Sequence, residues 1–181
     1  YQYAVAHYPH LKHVIVLADA IRSYPEYGKM TKVISFNTKD YWYYMARARY
    51  FVNDVNFEET PRKKRENQIE IQTMHGTPLK KMGFEVLNEW SDRSYPAYQK
   101  RNSNWDYLVV PSDFVAEVAK NAYNVSPKLL KTGYPRNDVL FESHSEIELS
   151  ELKQTNGLPL NKKIVLYAPT WHDRGETEVA K

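Results

Sequence analysis

Short apolar runs, rich in β-branched residues and bounded by turn-forming or polar residues, recur along the chain. They predict strands over residues 13–19, 32–37, 49–54, 69–74, 107–110, 129–132 and 163–168. The run His13-Val14-Ile15-Val16-Leu17-Ala18 is nearly continuous in apolar side chains, the pattern of a strand buried on both faces. Between these runs the apolar period becomes helical. Thr38 or Asp40 is placed to cap a helix through Ala48, with Tyr41, Tyr44, Met45 and Ala48 on one side. Ser112 is placed to cap a second helix, through Tyr123, that buries Phe114, Val115, Val118 and Ala119. Ser145 and Glu148 have the spacing of a capping box for a third, over 146–154. Alternation of strands and helices predicts an α/β fold with an open, mostly parallel, Rossmann-like sheet.

A boundary is expected after Phe141. Residues 1–141 form the first domain, residues 142–162 a polar helical linker, and residues 163–181 the start of a second α/β domain opening with a strand. The first residue is Tyr1 and the last stretch is charged, so the chain reads as a fragment of a longer protein.

Composition removes several classes of function. Among 181 residues there is no Cys, which excludes disulfides, a thiolate zinc site and a cysteine nucleophile. The 25 basic and 22 acidic residues leave a formal charge of +3, too little to indicate nucleic acid. No run of 18 apolar residues is present to span a membrane.

In open α/β sheets ligands lie beyond the carboxyl ends of the strands. Three such ends carry unusual chemistry. The first reads Met74-His75-Gly76-Thr77-Pro78-Leu79-Lys80. Gly76 permits a tight turn, Thr77 is placed to cap a following helix, and Pro78 suits its first position. Backbone amides at such a start attract phosphate, and a neutral His75 beside them can take a proton from an attacking hydroxyl. The bland alternative is a surface turn whose His bonds only backbone. The second end reads Thr132-Gly133-Tyr134-Pro135-Arg136-Asn137-Asp138, where Arg136 either grips a phosphate or pairs with Asp138. The third, Ala168-Pro169-Thr170-Trp171, offers a hydroxyl and a flat ring, although a strand-end Trp more often packs than binds.

At these residues the chain resembles the CDP-glycerol glycerophosphotransferase family of teichoic-acid primases and polymerases. Ala48-Arg49-Tyr50-Phe51-Val52-Asn53-Asp54 and Trp105-Asp106-Tyr107-Leu108-Val109-Val110-Pro111-Ser112 add to the likeness, which runs from about His13 onward. The resemblance implies the N-terminal half of a GT-B-like two-domain enzyme, plus the first strand of the second domain. It implies transfer of glycerol phosphate from CDP-glycerol to a hydroxyl of a lipid-linked polyol-phosphate acceptor, with release of CMP. It also implies a peripheral enzyme on the cytoplasmic face of the membrane, with no cofactor. His75 matches the family's catalytic base. His75, Gly76, Thr77, Pro78 and Leu79 match donor-phosphate residues; Arg136, Pro169, Thr170 and Trp171 match further donor-binding positions. His172 departs from the pattern, since family members often carry Arg there. A second catalytic His and most of the cytidine site are expected further along, so this stretch alone is expected to be inactive.

Other readings stay open beside this one. CDP-ribitol or a capsule polyol phosphate is an alternative donor class. A nucleotide-sugar GT-B glycosyltransferase and a non-catalytic domain binding membrane or polymer are rivals. His7, His10 and His13 recur at steps of three, but Pro9 interrupts them and three such ligands converge poorly, so no metal site is expected. The basic run Arg62-Lys63-Lys64-Arg65 suits either a solvated loop or anionic lipid headgroups. The aromatic stretch over 82–105, with Phe84, Trp90, Tyr95, Tyr98 and Trp105, is read as a packed excursion in preference to an acceptor or membrane contact. Tyr41-Trp42-Tyr43-Tyr44 follows helical spacing, which favours core over base stacking, and no nucleic-acid partner is expected.

Overall fold

The structure is a computed structural model. It describes residues 2–18, 31–55, 64–89, 94–124 and 126–168. Pro169, Thr170, Trp171, His172, Trp90, Arg62 and Lys63 lie outside the described residues. The chain divides into two compact units, Tyr1–Pro135 and Arg136–Lys181.

Within the first unit, β1 (His13–Leu17) pairs in parallel with β2 (Thr31–Ser35). A second sheet has β3 (Tyr50–Asn53), β4 (Ile69–Gln72), β5 (Tyr107–Val109) and β6 (Lys128–Leu130) side by side in chain order. Every ladder in it is parallel, so all four carboxyl ends emerge at one edge. The α/β class with parallel strands is therefore the one read from the pattern. β1 differs from expectation. None of its residues is fully buried and Val16 is 39% exposed. Among the described residues β2 is its ladder partner, so one flank lacks the neighbour that a fully buried strand requires.

Helices form where their caps and apolar faces coincide. Preceding them, the short α1 (Gln2–His7) buries no residue. Thr38 accepts the Tyr41 amide and starts α2 (Lys39–Arg47), which buries Tyr41 and Met45. These two pack with Ile34 of β2 and Phe51 of β3. The next helix, α3 (Ser94–Asn102), brings Tyr98 to a larger core. Ser112 caps α4 (Asp113–Tyr123), whose buried face is Val115, Ala116, Ala119, Ala122 and Tyr123. Phe114, expected on that face, is 61% exposed because it sits one position off the stripe that meets β5. The larger core gathers Phe84, Tyr98, Trp105, Leu108, Val110 and that face of α4. The aromatic excursion is thus packed, as expected, at Phe84, Tyr98 and Trp105.

β4 inverts the usual alternation. Its partly buried residues are Ile69 and Ile71, while Gln68, Glu70 and Gln72 are only 3, 3 and 2% exposed. The glutamines satisfy backbone groups at both ends of β3. Gln68 Nε2 donates to the Met45 and Ala48 carbonyls at 3.2 and 2.9 Å, and its Oε1 accepts the Arg65 amide at 3.0 Å. Gln72 Nε2 donates to the Val55 carbonyl at 2.8 Å. Lys64 has a structural task as well: its ammonium bonds both Asp106 carboxylate oxygens at 2.7 Å, while Asp106 Oδ2 accepts the Glu70 amide at 2.7 Å. With its side chain only 18% exposed, Lys64 is not the solvated cation that the basic run suggested.

Two expected elements take another form. No helix begins at Thr77 and Pro78; residues 77–82 are irregular, and a 3-10 segment starts at Gly83 (Gly83–Glu89). The packing of Gly83 explains this. Its φ is +55°, and a Cβ there would lie 2.0 Å from the Ala122 carbonyl oxygen and 2.7 Å from the Tyr98 hydroxyl. The chain must run out to reach this contact with the end of α4, which a helix of 1.5 Å rise per residue would not do. In the second unit, Ser145 and Glu148 form the expected capping box of α5 (Glu146–Thr155). Residues 163–168, expected as a seventh strand, form no ladder among the described residues, and Val165 and Leu166 are 89 and 86% exposed. A continuous apolar run makes a strand only where a neighbour takes the backbone hydrogen bonds.

The Gly83 contact yields a prediction. Gly83→Ala combines left-handed strain with an overlap against backbone, a cost of about 2–4 kcal/mol. The thermal unfolding midpoint should fall by roughly 5–15 °C in a calorimetric scan.

Candidate functional site

The candidate site is built at the carboxyl edge of β3 to β6, and begins with Gln72. Its Oε1 accepts the Met74 amide at 2.9 Å while its Nε2 holds the loop after β3. Thr73 ties the same two exits together, its amide donating to the Asn53 carbonyl at 2.9 Å and its hydroxyl at 3.2 Å. Met74 has φ +55°, a left-handed conformation that a residue with an unbranched apolar side chain seldom adopts. The Gln72 bond and the packing of its side chain on the larger core hold it there. The sharp turn after β4 is therefore made at Met74, not at Gly76 as the sequence suggested.

This turn presents His75 at the surface. His75 Nδ1 lies 3.0 Å from the Asp54 carbonyl oxygen. A carbonyl can only accept, so Nδ1 carries the proton and Nε2 is the basic nitrogen. Beyond His75 the groups are donors. Among the described residues Thr77 and Leu79 make no hydrogen bond through their amides or the Thr77 hydroxyl. Lys80 and Lys81 form no ion pair among the described residues. The amides expected at a helix start are thus present on an irregular segment, without the helix. Gly76 has open space where a Cβ would stand, and neither a positive φ nor a neighbouring atom requires glycine there. A side chain at this position would project into the space beside His75 and Thr77.

β6 brings the second motif to the same edge. Gly133, at φ +78°, reverses the chain after Lys131 and Thr132. Tyr134 is then 6% exposed, and its hydroxyl donates to the Gly76 carbonyl at 3.1 Å. Burial, with Tyr98 and Tyr134 nearby, pushes the Tyr123 phenol well up. Lys131 pairs with Asp113 at the start of α4, which bridges the ends of β5 and β6. The Lys131 contact also holds the Asp113 carboxyl below the usual carboxylate range.

His75, Gly76, Thr77, Pro78 and Leu79 are therefore together on one segment, with Tyr134 against it. Arg136 is exposed and opens the second unit on the 3-10 turn Pro135–Leu140. The sequence reading assigned no role to Gln72, Met74 or Tyr134. Gln72 was legible as a polar residue at alternate spacing from Gln68 and Glu70; the others had no signal beyond their place in the motifs. The amino-terminal histidines have other partners, His7 Nδ1 facing the Tyr3 carbonyl at 2.9 Å and His13 Nε2 facing that of Tyr8 at 3.3 Å.

The parallel sheet thus presents an imidazole and exposed backbone amides at its carboxyl edge, the place where open α/β sheets take their ligands. The chain belongs to the CDP-Glycerol:Poly(glycerophosphate) glycerophosphotransferase family, whose model it matches over residues 1–181. It is 36% identical over 143 residues to the teichoic acid poly(glycerol phosphate) polymerase of Bacillus spizizenii, covering 76% of this chain and 36% of the relative. It is 41% identical over 110 residues to the teichoic acid glycerol-phosphate transferase of Staphylococcus aureus, covering 57% of this chain and 28% of the relative. Among solved structures, the wall teichoic acid polymerase TagF matches with a TM-score of 0.82 at 29% identity, over 96% of this chain and 43% of that one. The fold is thus that of part of a GT-B-like teichoic acid polymerase. The matched stretches span between 18 and 36% of the length of these and the other curated relatives.

Gly76 separates a structural from a functional use of glycine. Gly76→Ala should leave folding stability within about 0.5 kcal/mol of wild type, or slightly higher through the unfolded state. Transfer activity of the intact protein should nevertheless fall at least tenfold. Chemical denaturation and a turnover assay on the same preparation check both halves.

Proposed function

We propose that this chain supplies the catalytic base of a glycerophosphotransferase. The enzyme moves glycerol phosphate from CDP-glycerol to a hydroxyl of a lipid-linked, teichoic-acid-type acceptor and releases CMP. The observation that carries this reading is the 3.0 Å contact of His75 Nδ1 with the Asp54 carbonyl oxygen. Its Nδ1 proton is held by the Asp54 carbonyl, which leaves Nε2 to accept a proton beside a run of anion donors.

In the proposed step the acceptor oxygen attacks the phosphorus that bears glycerol. Its proton passes to His75 Nε2. The bond from that phosphorus to the bridging oxygen breaks, and CMP leaves with the bonding pair on that oxygen. Negative charge grows on the leaving group, so fixed donors lower the barrier more than they tighten the ground state. The amides of Thr77 and Leu79 are assigned to the donor phosphates, with Gly76 and Pro78 shaping their approach. Arg136 is assigned to the same phosphates as a bidentate cation, and Pro169, Thr170 and Trp171 to the donor's other flank. The domain division belongs to this reading: an acceptor-side domain over 1–141, a linker over 142–162, and the start of the donor domain from residue 163. A lipid-linked acceptor would place the enzyme peripherally at the cytoplasmic face of the membrane.

The test is CMP release from CDP-glycerol by the intact protein with a lipid-linked acceptor. His75→Ala should lower kcat by about two orders of magnitude or more and leave the KM for CDP-glycerol within a few-fold. Unchanged release in His75→Ala would remove His75 from the chemistry. Release from CDP-ribitol but not from CDP-glycerol would replace the polyol.

A further inference from the structure

We propose that Tyr134 is a positioning residue of this site. Its hydroxyl fixes the backbone turn that carries His75 and aims the Thr77 amide at an anionic phosphate oxygen. The inference rests on the reading of His75 as base, and adds a residue that acts on the turn without touching the proton.

Tyr134 reaches the turn from far along the chain, with 58 positions separating it from Gly76. The left-handed Gly133 turns the chain so that the ring is buried and the hydroxyl meets the Gly76 carbonyl. The peptide between Gly76 and Thr77 is planar and trans, so its carbonyl and its N–H point in opposite directions. With the carbonyl held against Tyr134, the Thr77 N–H is directed away from it. That N–H has no acceptor among the described residues, and Thr77 is exposed. One hydrogen bond on the protein side therefore orients, on the other side, a donor that no acceptor among the described residues takes. An exposed backbone amide beside a hydroxyl is suited to a phosphate oxygen.

Three ties hold the segment. Gln72 fixes the Met74 amide, the Asp54 carbonyl fixes the His75 ring, and Tyr134 fixes the Gly76 carbonyl. The first two lie on the β3 and β4 side. Tyr134 comes from the turn after β6, across the intervening β5, and holds the segment from the other flank. Gly76 has no side chain to pack, and its Cβ position is empty. Loss of the Tyr134 hydroxyl removes the tie that reaches the Gly76 carbonyl from the β6 side.

Tyr134→Phe in the intact protein keeps the ring and removes the hydroxyl. Hydrogen–deuterium exchange of the Met74 amide, which this segment holds through its bond to Gln72, should quicken about fivefold by NMR, the equivalent of one net hydrogen bond. The kcat for CMP release should fall about tenfold, with the KM for CDP-glycerol changed less than threefold, as expected where an interaction counts mainly in the transition state. Exchange at the wild-type rate would overturn the proposal, whatever happens to turnover. Faster exchange with wild-type kcat would also overturn it, because the turn would then be irrelevant to the reaction. A fall of more than about 10 °C in unfolding midpoint would overturn it too, as the hydroxyl would be holding the core. His75→Ala measured in parallel separates the two ideas. Full turnover in that variant removes the base, while exchange of the Met74 amide still judges Tyr134.

Discussion

The structure depends on a buried polar stripe. Gln68, just before β4, and Glu70 and Gln72 within it are covered where apolar residues would ordinarily stand. Burying such groups without partners is costly, by a few kcal/mol each in an apolar setting. The two glutamines instead meet backbone groups that have no ladder partner: the end of α2, the amide of Arg65, the loop after β3 and the amide of Met74. One strand thereby fixes where its neighbour begins, where it ends and how its own exit turns. Leucine at position 72 would fill similar space but abandon a carbonyl and an amide, so the polar choice is set by the loops and not by the core.

The site inherits its shape from this constraint. Gln72 holds the Met74 amide, Met74 takes the left-handed conformation, and His75 is thereby set against the Asp54 carbonyl. Strain at Met74 is maintained by bonds and packing around it, as is common where a turn must present one side chain in one tautomer. Across the sheet, Asp113 and Lys131 tie the ends of β5 and β6, and Tyr134 closes onto Gly76. The Asp54 and Gly76 carbonyls along this edge are taken by protein donors, while the exposed Thr77 and Leu79 amides have no acceptor among the described residues, which suits an anionic ligand.

Much of this was legible in the sequence. Caps at Thr38, Ser112 and Ser145 and the helical spacing of Tyr41 and Met45 gave the helices, since both are local properties of the chain. The parallel α/β class followed from alternation of elements. The motif around His75 was visible because its residue types are uncommon together. Less legible were the features that depend on distant partners. Nothing local forbade a helix from Pro78; the contact of Gly83 with the end of α4 did. Phe114 had an apolar side chain and helical spacing, yet the position of β5 left it outside the buried stripe.

The sequence by itself determined the class of fold, the helix starts and the identity of the candidate base. These are written in short-range periodicity, capping and residue chemistry. Tertiary structure alone decided that the polar residues of β4 face inward, that the sharp turn falls at Met74, and that Tyr134 meets Gly76. Each of these is settled by a hydrogen bond or a packing contact between segments far apart in the chain. Such partners become known only when parallel strands bring their carboxyl ends to one edge.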